Sequence, residues 1–350
     1  MPASGSTIAY PSGLLLAGAG LLIFLLARCE SVSQQYQGDK IDGVCFVGPR
    51  DSIPPEAMAT VRQVNADWVA IVPYAFSYEN EPQVNYDTTR QWWGETKRGV
   101  EQCIQYARDL GLKVMLKPHV WVIRQGWPGD YDLPDEEAWQ AWEKSYTNYL
   151  DIMTDIAVRY EVELYCIGTE FRIPARERPA YWRSLIRNIR KQYPGKITYA
   201  ANWDNYENIA FWDDLDLIGV DAYFPVGEDK NPAVRALVSG WEDTAESLED
   251  LSREEGKPIL FTEYGYRSAD YASRGHWEHE NQELVSNPEA QARAYEALYR
   301  TFWNQPWFAG GFLWKWYPYV NRASRWNRWE TDFTPQEKPA SEVISRYYTE

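Results

Sequence analysis

Histidine, cysteine and unbalanced positive charge are all scarce in this chain, and each shortage removes a class of function. The three histidines, His119, His276 and His279, are too few for the histidine-rich donor set of a metallohydrolase. His276 and His279 lie three apart in the polar stretch His276-Trp277-Glu278-His279, which reads as loop surface and not as a metal site. Four cysteines, Cys29, Cys45, Cys103 and Cys166, show no C-x-x-C spacing, so neither a zinc site nor a disulfide framework is indicated. Cys45 and Cys166 fall in apolar strand-like runs and Cys103 in a helical pattern, where buried free thiols are the expected state. Lys and Arg number 35 against 51 Asp and Glu, a formal net charge of -16. With no basic stripe to meet phosphates, nucleic acid is excluded as a partner. No metal or other cofactor is expected.

Long apolar runs are also lacking, with one exception. Ser12 to Ala27 is almost wholly apolar; at about 16 residues it is short for a membrane span and suits a signal-peptide core. The following Leu26-Ala27-Arg28-Cys29 resembles a bacterial lipoprotein box, in which the cysteine is lipidated and becomes the new N-terminus. Arg28 stands where that box carries a small residue, and no Lys or Arg precedes the apolar run. Residues 1–29 therefore have two readings, a lipoprotein-type signal peptide with a lipid anchor at Cys29 or an N-terminal membrane anchor. Both place the chain outside the cytoplasm, at the cell envelope or beyond. Residues 30–40 (ESVSQQYQGDK) read as a polar tether outside the fold.

Aromatic residues, by contrast, are abundant: 18 Trp and 25 Tyr bring the aromatic share to 15%. About half must fill a core; the excess suits a ligand with flat apolar faces and polar rims, as sugar rings have. From residue 41 onward, short near-continuous apolar runs alternate with amphipathic segments. That is the pattern of βα units around a parallel sheet covered on both faces. Eight strands are expected, at Asp42–Val47, Trp68–Tyr74, Lys113–Lys117, Glu163–Gly168, Lys196–Ala201, Leu217–Val220, Pro258–Thr262 and Gly311–Trp314. Helices are expected over Pro54–Asn65, Thr96–Leu110, Asp135–Tyr160, Arg178–Gln192, Glu207–Trp212, Asn231–Glu255, Pro288–Trp303 and Ser341–Tyr348. Asn287-Pro288-Glu289 carries a helix start, and Gly111, Gly195 and Gly256 mark helix ends. No composition break divides residues 41–350, so the expected architecture is α/β, a single-domain (β/α)8 TIM barrel, and a monomer.

In such a barrel the C-terminal ends of the strands share one mouth. The fourth and seventh strands run directly into Glu170 and Glu263, and two strand-end carboxylates are the minimum equipment for hydrolysing a glycosidic bond. The other strand ends bring Lys117, His119 and Trp121 (third), Asn202 and Trp203 (fifth), Asp221 and Tyr223 (sixth), and Trp314 and Trp316 (eighth) as candidate substrate-binding groups. The loops around Trp127 and Trp277 are long enough to wall a cleft.

These residues resemble clan A of the glycoside hydrolases and, more narrowly, glycoside hydrolase family 113, the β-mannanase family. The carriers are Gly43-Val44-Cys45-Phe46, Lys117-Pro118-His119, Gly168-Thr169-Glu170-Phe171, Ala201-Asn202-Trp203, Asp221-Ala222-Tyr223-Phe224-Pro225 and Thr262-Glu263-Tyr264-Gly265. Most of the clan has Asn before the first glutamate; Thr169 stands there in this chain. The resemblance implies a retaining hydrolase of β-1,4-mannan or manno-oligosaccharides, with Glu263 as nucleophile and Glu170 as acid/base. It also implies that Tyr223 donates a hydrogen bond to Glu263. A β-glucanase on the same barrel and a non-catalytic glycan-binding barrel are the alternatives. The second is disfavoured because holding two like charges close together without a catalytic use is costly.

Overall fold

A computed structural model describes residues 36–275, 284–320 and 328–349, together with Met1 and Gly5. The apolar run 12–27, Cys29 and the His276–His279 segment lie outside the described residues. Among those described, no helix is long and apolar enough to cross a membrane.

Eight parallel strands close into a barrel: β1 (Ile41–Phe46), β2 (Trp68–Ile71), β4 (Lys113–Leu116), β6 (Leu164–Thr169), β7 (Lys196–Asn202), β8 (Ile218–Asp221), β9 (Ile259–Tyr264) and β10 (Phe308–Trp316). The chain is a TIM barrel. Side chains alternate along each strand between two apolar layers. The inner layer includes Cys45, Ala70, Met115, Cys166, Leu260 and Phe312. The outer layer, much larger, joins strand residues such as Val44, Val69, Ile167 and Phe261 to the surrounding helices. Gly43 is required by this filling, since a Cβ there would lie 2.3 Å from the Phe312 ring.

The helices α1 (Pro55–Ala59), α2 (Lys97–Asp109), α3 (Glu136–Arg159), α4 (Arg172–Glu177), α5 (Pro179–Arg190), α6 (Val234–Gly240), α7 (Glu242–Glu255), α8 (Pro288–Phe302) and α9 (Pro339–Tyr347) form the outer ring. Local chemistry sets their ends. Thr96, Asp135 and Asn287 accept hydrogen bonds from the backbone N–H three residues on, and Gly256 ends α7 at φ +64°. The segment expected as a helix over Glu207–Trp212 is instead part of two 3-10 turns, Tyr206–Asn208 and Trp212–Asp214. The long helix expected over Asn231–Glu255 is two, α6 and α7.

Two features at the barrel's ends were not anticipated. At the C-terminal end, β3 (Tyr74–Tyr78) pairs in parallel with β5 (His119–Ile123), prolonging the second and third βα units above the barrel. At the N-terminal end, residues 36–40, expected as free tether, are seated on the fold. Tyr36 packs against the inner apolar layer under the Lys196 ammonium, its N–H donating to the Pro306 carbonyl. Lys40 Nζ donates to the carbonyls of Gln305 and Phe308. Cys45, Cys103 and Cys166 are buried free thiols.

Candidate active site

The open end of the barrel holds a cleft of about 1240 Å³, and Glu170 and Glu263 both line it. A pocket for a drug-sized ligand measures roughly 300–1,000 Å³, so there is room for a chain of several rings. Glu170 follows β6 directly. Its N–H donates to the Ala200 carbonyl at 2.8 Å and continues the strand ladder, while its φ of +54° turns the chain sharply toward α4. A non-glycine residue in that left-handed conformation costs on the order of 1 kcal/mol, which the flanking ladder and helix offset. Glu263 is the penultimate residue of β9, aligned with Asp221 across an irregularity in the β8–β9 pairing.

The two carboxyl groups have different surroundings. Both oxygens of Glu263 accept hydrogen bonds: Oε1 from Lys117 Nζ, and Oε2 from the Tyr223 hydroxyl at 2.7 Å. Glu170 accepts one, from Trp127 Nε1 to Oε2 at 2.8 Å. Burial holds the Glu170 carboxyl well above the ordinary carboxylate range. The charges of Asp221 and Glu263 add to that shift, and Lys117 and Trp127 oppose it without reversing it. With the indole N–H on Oε2, the proton belongs on Oε1.

Lys117 and Asp221 lie beneath the cleft. Both side chains are completely buried and joined by an ion pair of 3.1 Å, with Thr262 Oγ1 donating to Asp221 Oδ1 at 2.7 Å. As substrate contacts these two residues are corrected: neither reaches the cleft. Burial pulls the Lys117 ammonium down, but Asp221 and Glu263 more than offset this and its pKa ends raised.

His119, Trp121, Asn202, Trp203, Tyr223 and Trp314 all line the cleft. The His119 ring packs against Tyr74, with centroids 4.8 Å apart and planes tilted by 32°; burial and then Lys117 push its pKa down to about 3, so it is a neutral imidazole at physiological pH. Nδ1 lies 3.3 Å from the Val120 carbonyl, which places the ring proton there and leaves Nε2 as an acceptor. Asn202 donates to Asp204 at 2.7 Å. Trp121, on β5, is 46% exposed, with one edge of its ring against Gly126. Trp316 is also corrected. It is fully buried in the outer apolar layer, its indole N–H bonded to Thr60 Oγ1 at 2.9 Å, and it forms no platform.

Trp127 and Arg172 were not singled out as site residues. The Arg172 guanidinium lies 4.9 Å from the Trp127 ring centroid and pairs with Asp130 and Asp204. The arginine thereby holds the indole that holds Glu170. The legible signal was Trp127 on a long loop and Arg172 two residues after the glutamate. Among the described residues, no group of three His, Cys, Asp or Glu side chains is placed to hold a metal ion.

A model of Glycoside Hydrolase Family 113 matches residues 51–338. The chain belongs to Glycoside Hydrolase Family 113. As a family 113 protein it is a glycoside hydrolase, and its substrate is a glycan. Among solved structures it is similar to the family 113 β-mannanase AaManA from Alicyclobacillus acidocaldarius in complex with ManMIm. The two are 27% identical, with a TM-score of 0.76 over 89% of this chain and 98% of that one. A family 113 β-1,4-mannanase is 26% identical, with a TM-score of 0.75 over 89% and 99%. The β-glucuronidase of Faecalibacterium prausnitzii, 14% identical with a TM-score of 0.59, spans 91% of this chain and 51% of its own, and shares the fold. No curated protein matches the family 113 chain.

Proposed function

We propose that this family 113 hydrolase cleaves β-1,4-mannosidic linkages in mannan or manno-oligosaccharides with retention at the anomeric carbon, by a double displacement using Glu263 and Glu170. The observation that carries the mechanism is the unequal environment of two carboxyl groups facing one cleft. Glu263, held by an ammonium and a phenol, is suited to remain an anion. Glu170, partly buried beside other negative charges, is suited to keep its proton.

In the first step a Glu263 oxygen attacks the anomeric carbon as the glycosidic C–O bond breaks, and the Glu170 proton passes to the leaving oxygen. The products are a glycosyl ester on Glu263 and an ionised Glu170. In the second step Glu170 takes a proton from water, whose oxygen attacks the same carbon from the face the leaving group left. The C–O bond to Glu263 breaks, and both residues return to their starting states. The net charge of the pair is the same before and after each step, so the buried site never has to accommodate an additional charge.

Mannan as the substrate is supported by the 26–27% identity to chains described as β-mannanases over 89% of this one. Mannose differs from glucose in its axial 2-hydroxyl. A site that hydrogen-bonds this group rejects the epimer by leaving its own polar atoms unpaired. His119 and Asn202 line the cleft with hydrogen-bonding groups suited to that role. The test is kcat/KM on mannopentaose and cellopentaose side by side, with NMR of the first-formed anomer. Preference for mannopentaose with a β-product supports the proposal. An α-product overturns the mechanism; a preference for cellopentaose moves the substrate to a β-glucan. Export and anchoring at the cell envelope belong to the same proposal and are tested by fatty-acid labelling, which Cys29→Ala must abolish if Cys29 is lipidated.

A further inference from the structure

The Lys117 ammonium is buried directly beneath Glu263, out of reach of any sugar, and touches both Glu263 Oε1 and Asp221 Oδ2. Tyr223, which holds the other oxygen, lines the cleft. We propose that Lys117 is a positioning residue that selects which oxygen of Glu263 reacts: it claims Oε1 from below, leaving Oε2, beside Tyr223, to attack, while Asp221 anchors the ammonium in place. The inference rests on Glu263 being the nucleophile.

Two consequences follow from this geometry. First, Oε1 becomes the carbonyl oxygen of the glycosyl ester and still accepts from Lys117. When the ester breaks, charge returns to a carboxylate already facing a cation, which makes Glu263 a better leaving group in the second step. Second, the Lys117 ammonium is paired with Asp221 at 3.1 Å, so it orients Glu263 while its own charge is offset by a neighbouring carboxylate. Lone removal of either member is another matter, because an uncompensated buried charge recruits or releases a proton.

The groups facing Lys117 determine the sign. They are Cys45 on β1, Tyr74 on β3, His119 on β5, Cys166 on β6, Glu170 just after it, Asp221 on β8 and Glu263 on β9. Burial first, and neighbouring carboxylates second, raise the carboxyl groups of Glu170 and Asp221, the latter to about 7. His119 stays neutral, and burial raises the thiols and the phenol. Lys117→Met therefore favours protonation of the carboxylates, and both limbs of the kcat/KM profile move to higher pH by roughly one unit or more. Asp221→Asn removes an anion and leaves the cation, so both limbs move down. The double variant Lys117→Met/Asp221→Asn returns them toward wild type.

The experiment measures kcat/KM against pH on mannopentaose for the three variants, with circular dichroism to establish folding. In parallel, the wild-type enzyme is labelled with a 2-deoxy-2-fluoro-mannosyl fluoride and the labelled peptide identified by mass spectrometry. Opposite displacements in the singles and recovery in the double are expected; a purely structural lysine would lower kcat without moving either limb. If Lys117→Met does not fold, Asp221→Asn decides alone, and unmoved limbs in that variant overturn the proposal. So do unmoved limbs in a folded Lys117→Met. Label on a residue other than Glu263 overturns the nucleophile assignment itself. Label on Glu263 with unmoved limbs rejects only the role of Lys117.

Discussion

Replacing Trp127 with phenylalanine isolates one hydrogen bond on the proposed acid. Phenylalanine keeps a flat ring beneath the Arg172 guanidinium and removes the indole N–H that donates to Glu170 Oε2 at 2.8 Å. That bond favours the ionised form. A hydrogen bond to a charged group contributes about 1.5–3 kcal/mol, and one to a neutral group about 0.5–1.5 kcal/mol. The difference, on the order of 1 kcal/mol, corresponds to roughly 0.7 pH unit at 1.36 kcal/mol per unit. The Glu170 pKa is already raised, by burial first and then by Asp221 and Glu263; removing a bond that opposes the shift raises it further. The alkaline limb of kcat/KM on mannopentaose, which reports loss of the acid's proton, should therefore move up by about 0.7 unit in Trp127→Phe. The acidic limb should move less, since the lost bond is made to Glu170 and not to Glu263. An alkaline limb that stays in place or moves down refutes the contact as a control on the acid.

Glu263→Ala and Glu170→Ala should each lower mannan hydrolysis by several orders of magnitude while retaining the fold. On an activated aryl mannoside Glu170→Ala should keep the first step and yield a β-glycosyl azide with added azide, a product chromatography detects; wild-type activity on the polymer in that variant would remove Glu170 from the reaction. Trp316→Ala should lose roughly 3–5 kcal/mol of stability, measured by denaturant unfolding, because it empties a fully buried site. Trp203→Ala, at the cleft, should spare stability and raise KM instead, contributing on the order of 1–3 kcal/mol to binding.

The strands were legible because both faces of each are buried, which turns them into apolar runs with sharp ends. The termini of β4 and β6 lie within one residue of expectation. The sheet of β3 and β5 was not, since Tyr74–Tyr78 and His119–Ile123 follow their barrel strands after only two residues and look like strand continuations or loop. Glu170 and Glu263 stood out because a carboxylate ending an apolar run has few structural uses.

Trp316 was misjudged for a geometric reason. Strict alternation would give Trp314 and Trp316, two residues apart, the same face. The β1–β10 pairing, however, runs from Val44 opposite Leu313 to Phe46 opposite Trp316, so β10 carries one residue more than β1 over that stretch. The bulge reverses the facing, sending Trp316 into the outer layer while Trp314 stays with the inner one. Composition has no record of such an insertion. Lys117 and Asp221 were placed at the correct end of the correct strands, but whether a polar group there faces a ligand or a second buried charge depends on partners distant in the chain.

Tyr36 and Lys40 fasten the entering chain to the rim where the strands begin, and the cleft opens where they end. Residue 36 is thereby held at the end of the barrel remote from the cleft. In a chain cut to begin at residue 36, a bead, a surface or a module attached there leaves the opposite face free for a bulky, insoluble polymer, whereas a graft onto the loop around Trp127 would obstruct the cleft.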